Sequence, residues 1–276
     1  MIEILNLTKR YGREVAVDDL SLTIKKGKTF GFLGQNGAGK TTTIKMIVGL
    51  ARPSSGSILI GGKPYTDVAA REKIGFMPEA PYFYERLTGL EFLKFCGALF
   101  LRHRKSDAPV PLARERGREN GSFPVAETLK PLGFKERERQ SSRDEEYDGI
   151  LKLMGIYGAK DKAIAKYSKG MKQRLGFAQT LVNDPDYIFL DEPLDGLDPL
   201  GRKEVKGIIK NLQARGKTIF FNSHILYDTE ELCDQIGIIH KGKLLYSGPV
   251  KEFCGGKPLE EKFVETIEAV VLREKK

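Results

Sequence analysis

The 276-residue chain has no long hydrophobic run. No stretch approaches the roughly 18 consecutive apolar residues a membrane-crossing helix needs, which excludes a spanning segment. The first residues, Met1-Ile2-Glu3-Ile4, lack the basic start and apolar run of a secretory signal. Cysteine is scarce: Cys96, Cys233 and Cys254 are odd in number, scattered and without metal-ligand spacing. They exclude a disulfide scaffold and read as reduced thiols of a cytosolic protein. No internal repeat is present, so the chain holds one copy of its folding unit. What is there is a composition 40% hydrophobic and 30% charged, which excludes global disorder and suffices for one large domain or two modest ones.

The net charge is +9. Such a surplus points to nucleic acid, to an anionic membrane surface, or to solubility alone. It is uneven. Residues 102–143 carry 11 basic and 6 acidic residues, over half of the surplus, whereas residues 144–276 are close to neutral. That segment also holds four of the thirteen prolines, few large apolar residues, and no helical or strand period. It buries too little apolar surface to offset its ordering entropy, and is expected to be a long, mobile, basic insertion.

Elsewhere the pattern alternates strand and helix, as in α/β layers. Strands are expected at Ile2–Leu7, Val15–Ile24, Thr29–Leu33, Ser57–Ile60, Tyr187–Leu190 and 218–222, with a short pair near 235–247. Helices are expected from the glycine-rich turn to about Leu50, at Leu90–Leu101, 169–183, about 200–215 and 225–232, with an amphipathic one running from Leu259 to Val271.

Two motifs carry chemistry. Gly34-Gln35-Asn36-Gly37-Ala38-Gly39-Lys40-Thr41 fits G-x-x-x-x-G-K-[ST], between an apolar strand and a helix. The glycines let backbone amides curl around phosphate, and the helix N-terminus adds a positive dipole end. Lys40 neutralises β- and γ-phosphates, and the Thr41 hydroxyl is placed for Mg²⁺. The second motif is an apolar strand ending in Asp191 and Glu192. Side chains alternate along a strand, so the two acids point differently. Asp191 can reach a metal shell, and Glu192 can take a proton from an attacking water.

With these motifs in this order, the chain resembles the ATP-binding subunit of an ABC transporter, over most of its length except about 102–143. Further positions carry the likeness. Tyr11, in Lys9-Arg10-Tyr11-Gly12, stands where the family stacks an aromatic on adenine. Tyr167-Ser168-Lys169-Gly170-Met171 stands at the signature sequence, which closes on the nucleotide of the other subunit; Ser168 is also a good helix N-cap. Leu194-Asp195-Gly196-Leu197-Asp198-Pro199 matches the loop along the dimer interface, and His224, in Asn222-Ser223-His224, matches the switch histidine. Two departures stand out. Glu79 replaces the usual glutamine, and could ligate Mg²⁺ while adding negative charge near phosphate. Lys169 and Met171 replace glycine and glutamine; Lys169 either attracts the γ-phosphate across the dimer or points to solvent.

The resemblance implies a P-loop NTPase with a RecA-like parallel-sheet core, an N-terminal antiparallel β subdomain and a helical subdomain. The implied division is 1–80 and 168–250 for the core with its β subdomain, 81–167 for the helical subdomain, and 251–276 for a C-terminal helical tail. It implies ATP and Mg²⁺ as cofactors. Glu192, His224 and Lys40 would be catalytic, Thr41, Glu79 and Asp191 would hold the metal, and Tyr11, Gly34, Asn36, Gly37, Ala38, Gly39, Lys40, Thr41, Thr42, Ser168 and Gly170 would bind nucleotide. It implies a second cassette and an integral membrane permease as partners, and a place on the inner face of the cell membrane. By the same resemblance, the region of Tyr82-Phe83-Tyr84 and Leu90–Leu101 belongs to the surface that meets the permease, with its aromatics divided between that contact and the subdomain core. The segment Gly248-Pro249-Val250 and its following helix look most like bacterial efflux-type ATPases. A soluble ABC-type ATPase acting on nucleic acid and a weakly hydrolysing nucleotide sensor stand as alternatives; a long heptad coiled coil or a second cassette would favour the first of these, and neither is present.

Overall fold

The computed structural model describes residues 1–105 and 134–274, with side chains over 1–100 and 143–273. Two sheets organise it. The first is antiparallel, in the order β2-β1-β4-β5, from β1 (Ile2–Tyr11), β2 (Glu14–Ile24), β4 (Ser55–Ile60) and β5 (Lys63–Pro64). The second has the order β10-β9-β3-β8-β7-β6, from β3 (Thr29–Leu33), β6 (Ile74–Met77), β7 (Tyr187–Asp191), β8 (Thr218–Asn222), β9 (Gln235–His240) and β10 (Lys243–Pro249). Its strands run parallel except for the β9–β10 hairpin.

Every residue of β3, β7 and β8 is buried. That is why these strands are continuous apolar runs rather than alternating ones: parallel strands are covered on both faces. Strand parity decides which face each side chain serves. Phe189 and Phe220, with rings 5.8 Å apart, join Phe30 and Phe32 in a core shared with Ile4 and Leu20 of the antiparallel sheet and Ile44 of α1 (Lys40–Ile47). Ile188, Leu190, Ile219 and Phe221 face the other way. They pack against α5 (Lys169–Thr180), α6 (Pro199–Ala214) and helices α3 (Gly89–Lys105) and α4 (Phe134–Leu153). A third cluster seats α8 (Val250–Cys254) and α9 (Leu259–Glu274) on Leu33, Ile236 and Ile238. Short helices α2 (Val68–Arg71) and α7 (Leu226–Leu232) complete the set.

The structure corrects the expectation that residues 102–143 lack helical order. Residues 102–105 continue α3, and 134–143 are the first half of α4. The remainder of that segment, 106–133, lies outside the described residues. The first half of α4 has no apolar stripe, so no period marks it; its Glu, Arg, Lys and Gln residues are good helix formers. The segments β6 and α2 are also additions, and β1 runs on to Tyr11.

Candidate functional site

The phosphate loop joins β3 to α1. Its curl depends on two glycines. A Cβ on Gly34 would lie 2.4 Å from the Ile239 carbonyl oxygen. Gly39, at φ 108°, holds left-handed geometry where a Cβ would lie 2.5 Å from the Ala16 carbonyl oxygen. The loop is braced from outside: Gly242 N donates to Ala38 O at 3.0 Å, and Asp18 N to Gly242 O at 2.9 Å. Gln35, Asn36 and Gly37 are exposed at its tip. The buried Lys40 crosses the loop, its Nζ donating to Gly34 O at 2.7 Å and Gln35 O at 3.2 Å. Burial pulls its pKa down, against the opposing pull of Glu192, Asp191 and Glu79.

Parity carries Asp191 to the same face as Phe189, toward α1. Its Oδ1 lies 3.4 Å from Thr41 Oγ1 and accepts Asn222 Nδ2 at 2.6 Å. Burial pushes its carboxyl up, the Asn222 bond opposes this, and the charge of exposed Glu79 adds to it. Glu192 follows with a left-handed φ of 51°, uncommon outside glycine. Its Oε2 accepts the His224 backbone N–H at 3.3 Å and lies 3.0 Å from His224 Nδ1. Burial raises the Glu192 carboxyl, with the His224 contacts and Lys40 pulling the other way. A group so raised toward neutrality can serve as a general base.

Thus Gly34, Gly39, Lys40, Thr41, Asp191, Glu192 and His224 gather at the ends of β3, β7 and β8, with Glu79 near enough to act on Lys40 and Asp191 by charge. Thr42 is half-buried beside Thr41 in the first turn of α1. Tyr11 sits at the tip of the β1–β2 hairpin, 51% exposed, with Lys9 Nζ 4.7 Å above its ring centroid. Ser168 caps α5, its Oγ accepting Met171 N at 3.2 Å. Among the described residues, neither Ser168 nor Gly170 is bonded to the phosphate loop. Lys169 is exposed, and its chain lies across Gly196, where a Cβ would meet its Nζ and Cε.

Two supporting residues escaped sequence reading. Asn222 orients Asp191; its signal was available in the parallel register, which sets Asp191 beside Asn222. Gln173, on α5, donates to Glu192 O at 3.5 Å and Pro193 O at 3.3 Å, tying the Ser168 helix to the acidic turn. No local pattern announces that contact.

A strand, a phosphate loop and a helix, with an acidic strand two places away in a parallel sheet, define the P-loop nucleotide-binding class within the α/β proteins. The sequence pattern of the ABC transporter family matches residues 17–195, and the chain belongs to that family. It is 42% identical over 243 residues to an uncharacterized ABC transporter ATP-binding protein of Nostoc sp., covering 88% of this chain and 62% of that protein. It is 37% identical over 279 residues to the bacitracin transport ATP-binding protein BcrA of Bacillus licheniformis, covering 99% of this chain and 78% of that one. Among solved structures, an ATP-binding subunit of an ABC transporter superposes with a TM-score of 0.75 at 27% identity, covering 97% of this chain and 99% of its own. The chain thus spans under two thirds of the Nostoc relative's length.

Proposed function

We propose that this chain binds and hydrolyses ATP as the cassette subunit of a membrane exporter, and that two cassettes close on ATP as a dimer. The observation that carries this reading is the meeting of Lys40, Thr41, Asp191, Glu192 and His224 around one phosphate loop. The amides and Lys40 bind the triphosphate, and the α1 N-terminus adds its dipole. The donor set fits Mg²⁺. Thr41 and Asp191 offer hard oxygens 3.4 Å apart, a pair small enough to leave room for phosphate oxygens and water. When bound, Mg²⁺ neutralises charge on the β- and γ-phosphates. Asn222 holds Asp191 toward Thr41, Glu192 accepts a proton from the attacking water, and His224 hands its contact from Glu192 to the γ-phosphate.

Ser168 supports the dimer. Its Oγ already accepts from Met171 N, so its hydroxyl proton is left to donate to a γ-phosphate held by a second copy. The permease would dock on the helical subdomain, taken as 81–167. A groove of about 1020 Å³ opens where that subdomain meets α5 and the turn after β7, lined among others by Tyr82, Tyr84, Glu85, Tyr167, Lys172 and Asp195. Tyr82 is 84% exposed, whereas Phe83 and Phe92 are core, so the aromatic stretch divides between surface and packing. No helix among the described residues is long and apolar enough to cross a membrane. In this reading the path lies in a separate permease, with this chain on the membrane's inner face. The likeness to BcrA makes bacitracin-type compounds the first substrates to try.

Co-purification from solubilised membranes, with ATP turnover measured on the product, tests the reading. A multispan protein should accompany the chain and raise its turnover. A chain that never turns over ATP, or one whose turnover ignores every membrane component, would overturn it.

A further inference from the structure

Lys9 and Tyr11 stand two residues apart on β1, and their side chains meet. The Lys9 ammonium is held from two sides. It donates to the Arg52 carbonyl oxygen at 2.7 Å, and it sits 4.7 Å above the centroid of the Tyr11 ring. The Arg52 bond comes from the loop before β4, which is fixed to the same strand through Ser54 N donating to Thr8 O at 2.8 Å. One face of Tyr11 is therefore covered by a cation anchored elsewhere. Tyr11 keeps 51% of its exposure. The hairpin that carries it reaches the phosphate loop through Ala16, whose carbonyl packs against Gly39.

We infer that Lys9 is a positioning residue for the nucleobase: it fixes the Tyr11 ring from behind, so that adenine stacks on a preformed platform. This rests on the reading of Tyr11 as the base-stacking residue. Two physical effects support it. A side chain already ordered before binding loses less entropy when the ligand arrives. A cation over one face also draws on the ring's quadrupole, which makes the opposite face a better partner for an electron-rich purine.

The test uses calorimetric titration of the full chain with ATP and, separately, with inorganic tripolyphosphate, which lacks the base. Lys9→Met should weaken ATP about two- to fivefold, the size of an exposed cation–π contact, and leave tripolyphosphate affinity unchanged. Lys9→Arg should restore ATP affinity, since a guanidinium covers an aromatic face as well. In a Tyr11→Leu background, Lys9→Met should cost nothing further, as a coupled pair requires. Equal losses for ATP and tripolyphosphate would overturn the inference, because Lys9 would then act as a charge on phosphate. So would a full loss that persists without the Tyr11 ring. If Tyr11→Leu weakens ATP and Lys9→Met does not, this inference alone fails. If Tyr11→Leu leaves ATP affinity intact while tripolyphosphate binds normally, base stacking on Tyr11 fails and this inference with it.

Discussion

Glu192 and His224 meet across the ends of neighbouring strands, with Oε2 3.0 Å from Nδ1. The contact holds the carboxylate at the mouth of the phosphate loop, and the backbone N–H of His224 bonds the same oxygen at 3.3 Å. A carboxamide keeps the size and one acceptor but cannot accept a proton. Glu192→Gln should therefore retain ATP affinity and lower turnover by at least about 100-fold, the lower bound for losing a positioned general base. With ATP present it should run as a dimer by light scattering. An ATP-bound variant that stays monomeric would count against closure.

Asp191 depends on a different neighbour. Asn222 Nδ2 donates to its Oδ1 at 2.6 Å, and both residues are buried. Asn222→Leu removes a hydrogen bond to a charged group and leaves Asp191 less supported, which should cost about 1.5–3 kcal/mol in denaturant unfolding at neutral pH. The Asp191 carboxyl, already pushed up by burial, should rise further. Calorimetry should then show weaker Mg²⁺-dependent binding of ATP, with less change for ATP alone.

Gly39 tests the loop's geometry apart from its charges. At φ 108° and with Ala16 O 2.5 Å from where a Cβ would lie, Gly39→Ala has neither a relaxed backbone nor space. The loop must shift, and the Lys40 bonds to Gly34 and Gln35 with it. Affinity for ATP and for tripolyphosphate should fall together by more than tenfold, unlike the selective loss expected at Lys9. Equal affinity in the alanine variant would show that the loop tolerates a different curl.

How far the sequence reveals this site depends on the kind of contact. The phosphate loop and the acidic pair are legible because each is a run of adjacent residues with its chemistry in order. Asp191 shares the parity of Phe189, and Phe189 and Leu190 show that alternation in the two cores they join; Glu192 lies just past the end of β7, so strand parity does not set its direction. The left-handed φ of Glu192 has no such signal, since it is imposed by the turn between β7 and the loop that follows. The strand β6 is four residues long and contains glycine, so it is recognisable only through its pairing with β7, more than a hundred residues on. The first half of α4 is hidden for the opposite reason: its sequence is rich in charged residues and carries no apolar period to mark a helix. Part of the basic charge in 102–143, which raised nucleic acid as a partner, falls on residues of that helix and of the end of α3.

Lys206 joins α6 to α7, the helix that follows His224. Its Nζ lies 3.0 Å from Asp228 Oδ1 and 2.5 Å from Glu231 Oε2, and 5.6 Å from the Tyr227 ring centroid. Asp228 is 4% exposed and its Oδ2 has no hydrogen-bond partner, so Lys206→Met would leave a buried, uncompensated carboxylate. Breaking a fully buried pair from one side costs roughly 3–5 kcal/mol. Here Lys206 keeps 15% of its side-chain exposure, and a loss of about 2 kcal/mol is expected in denaturant unfolding. Adding Asp228→Leu should recover part of it, because replacing both partners removes the stranded charge. The pH dependence has a definite sign. Hydrogen bonds from Lys206 and then Lys210 hold the Glu231 carboxyl below its ordinary value of 4.5. Its contribution to stability is complete above that value and is lost as pH falls through it toward the lower folded value. Unfolding midpoints of the wild type and of Lys206→Met should therefore lie well apart at pH 7 and approach each other below pH 4.5; a gap that stays constant would mean that packing, not charge, is what Lys206 supplies.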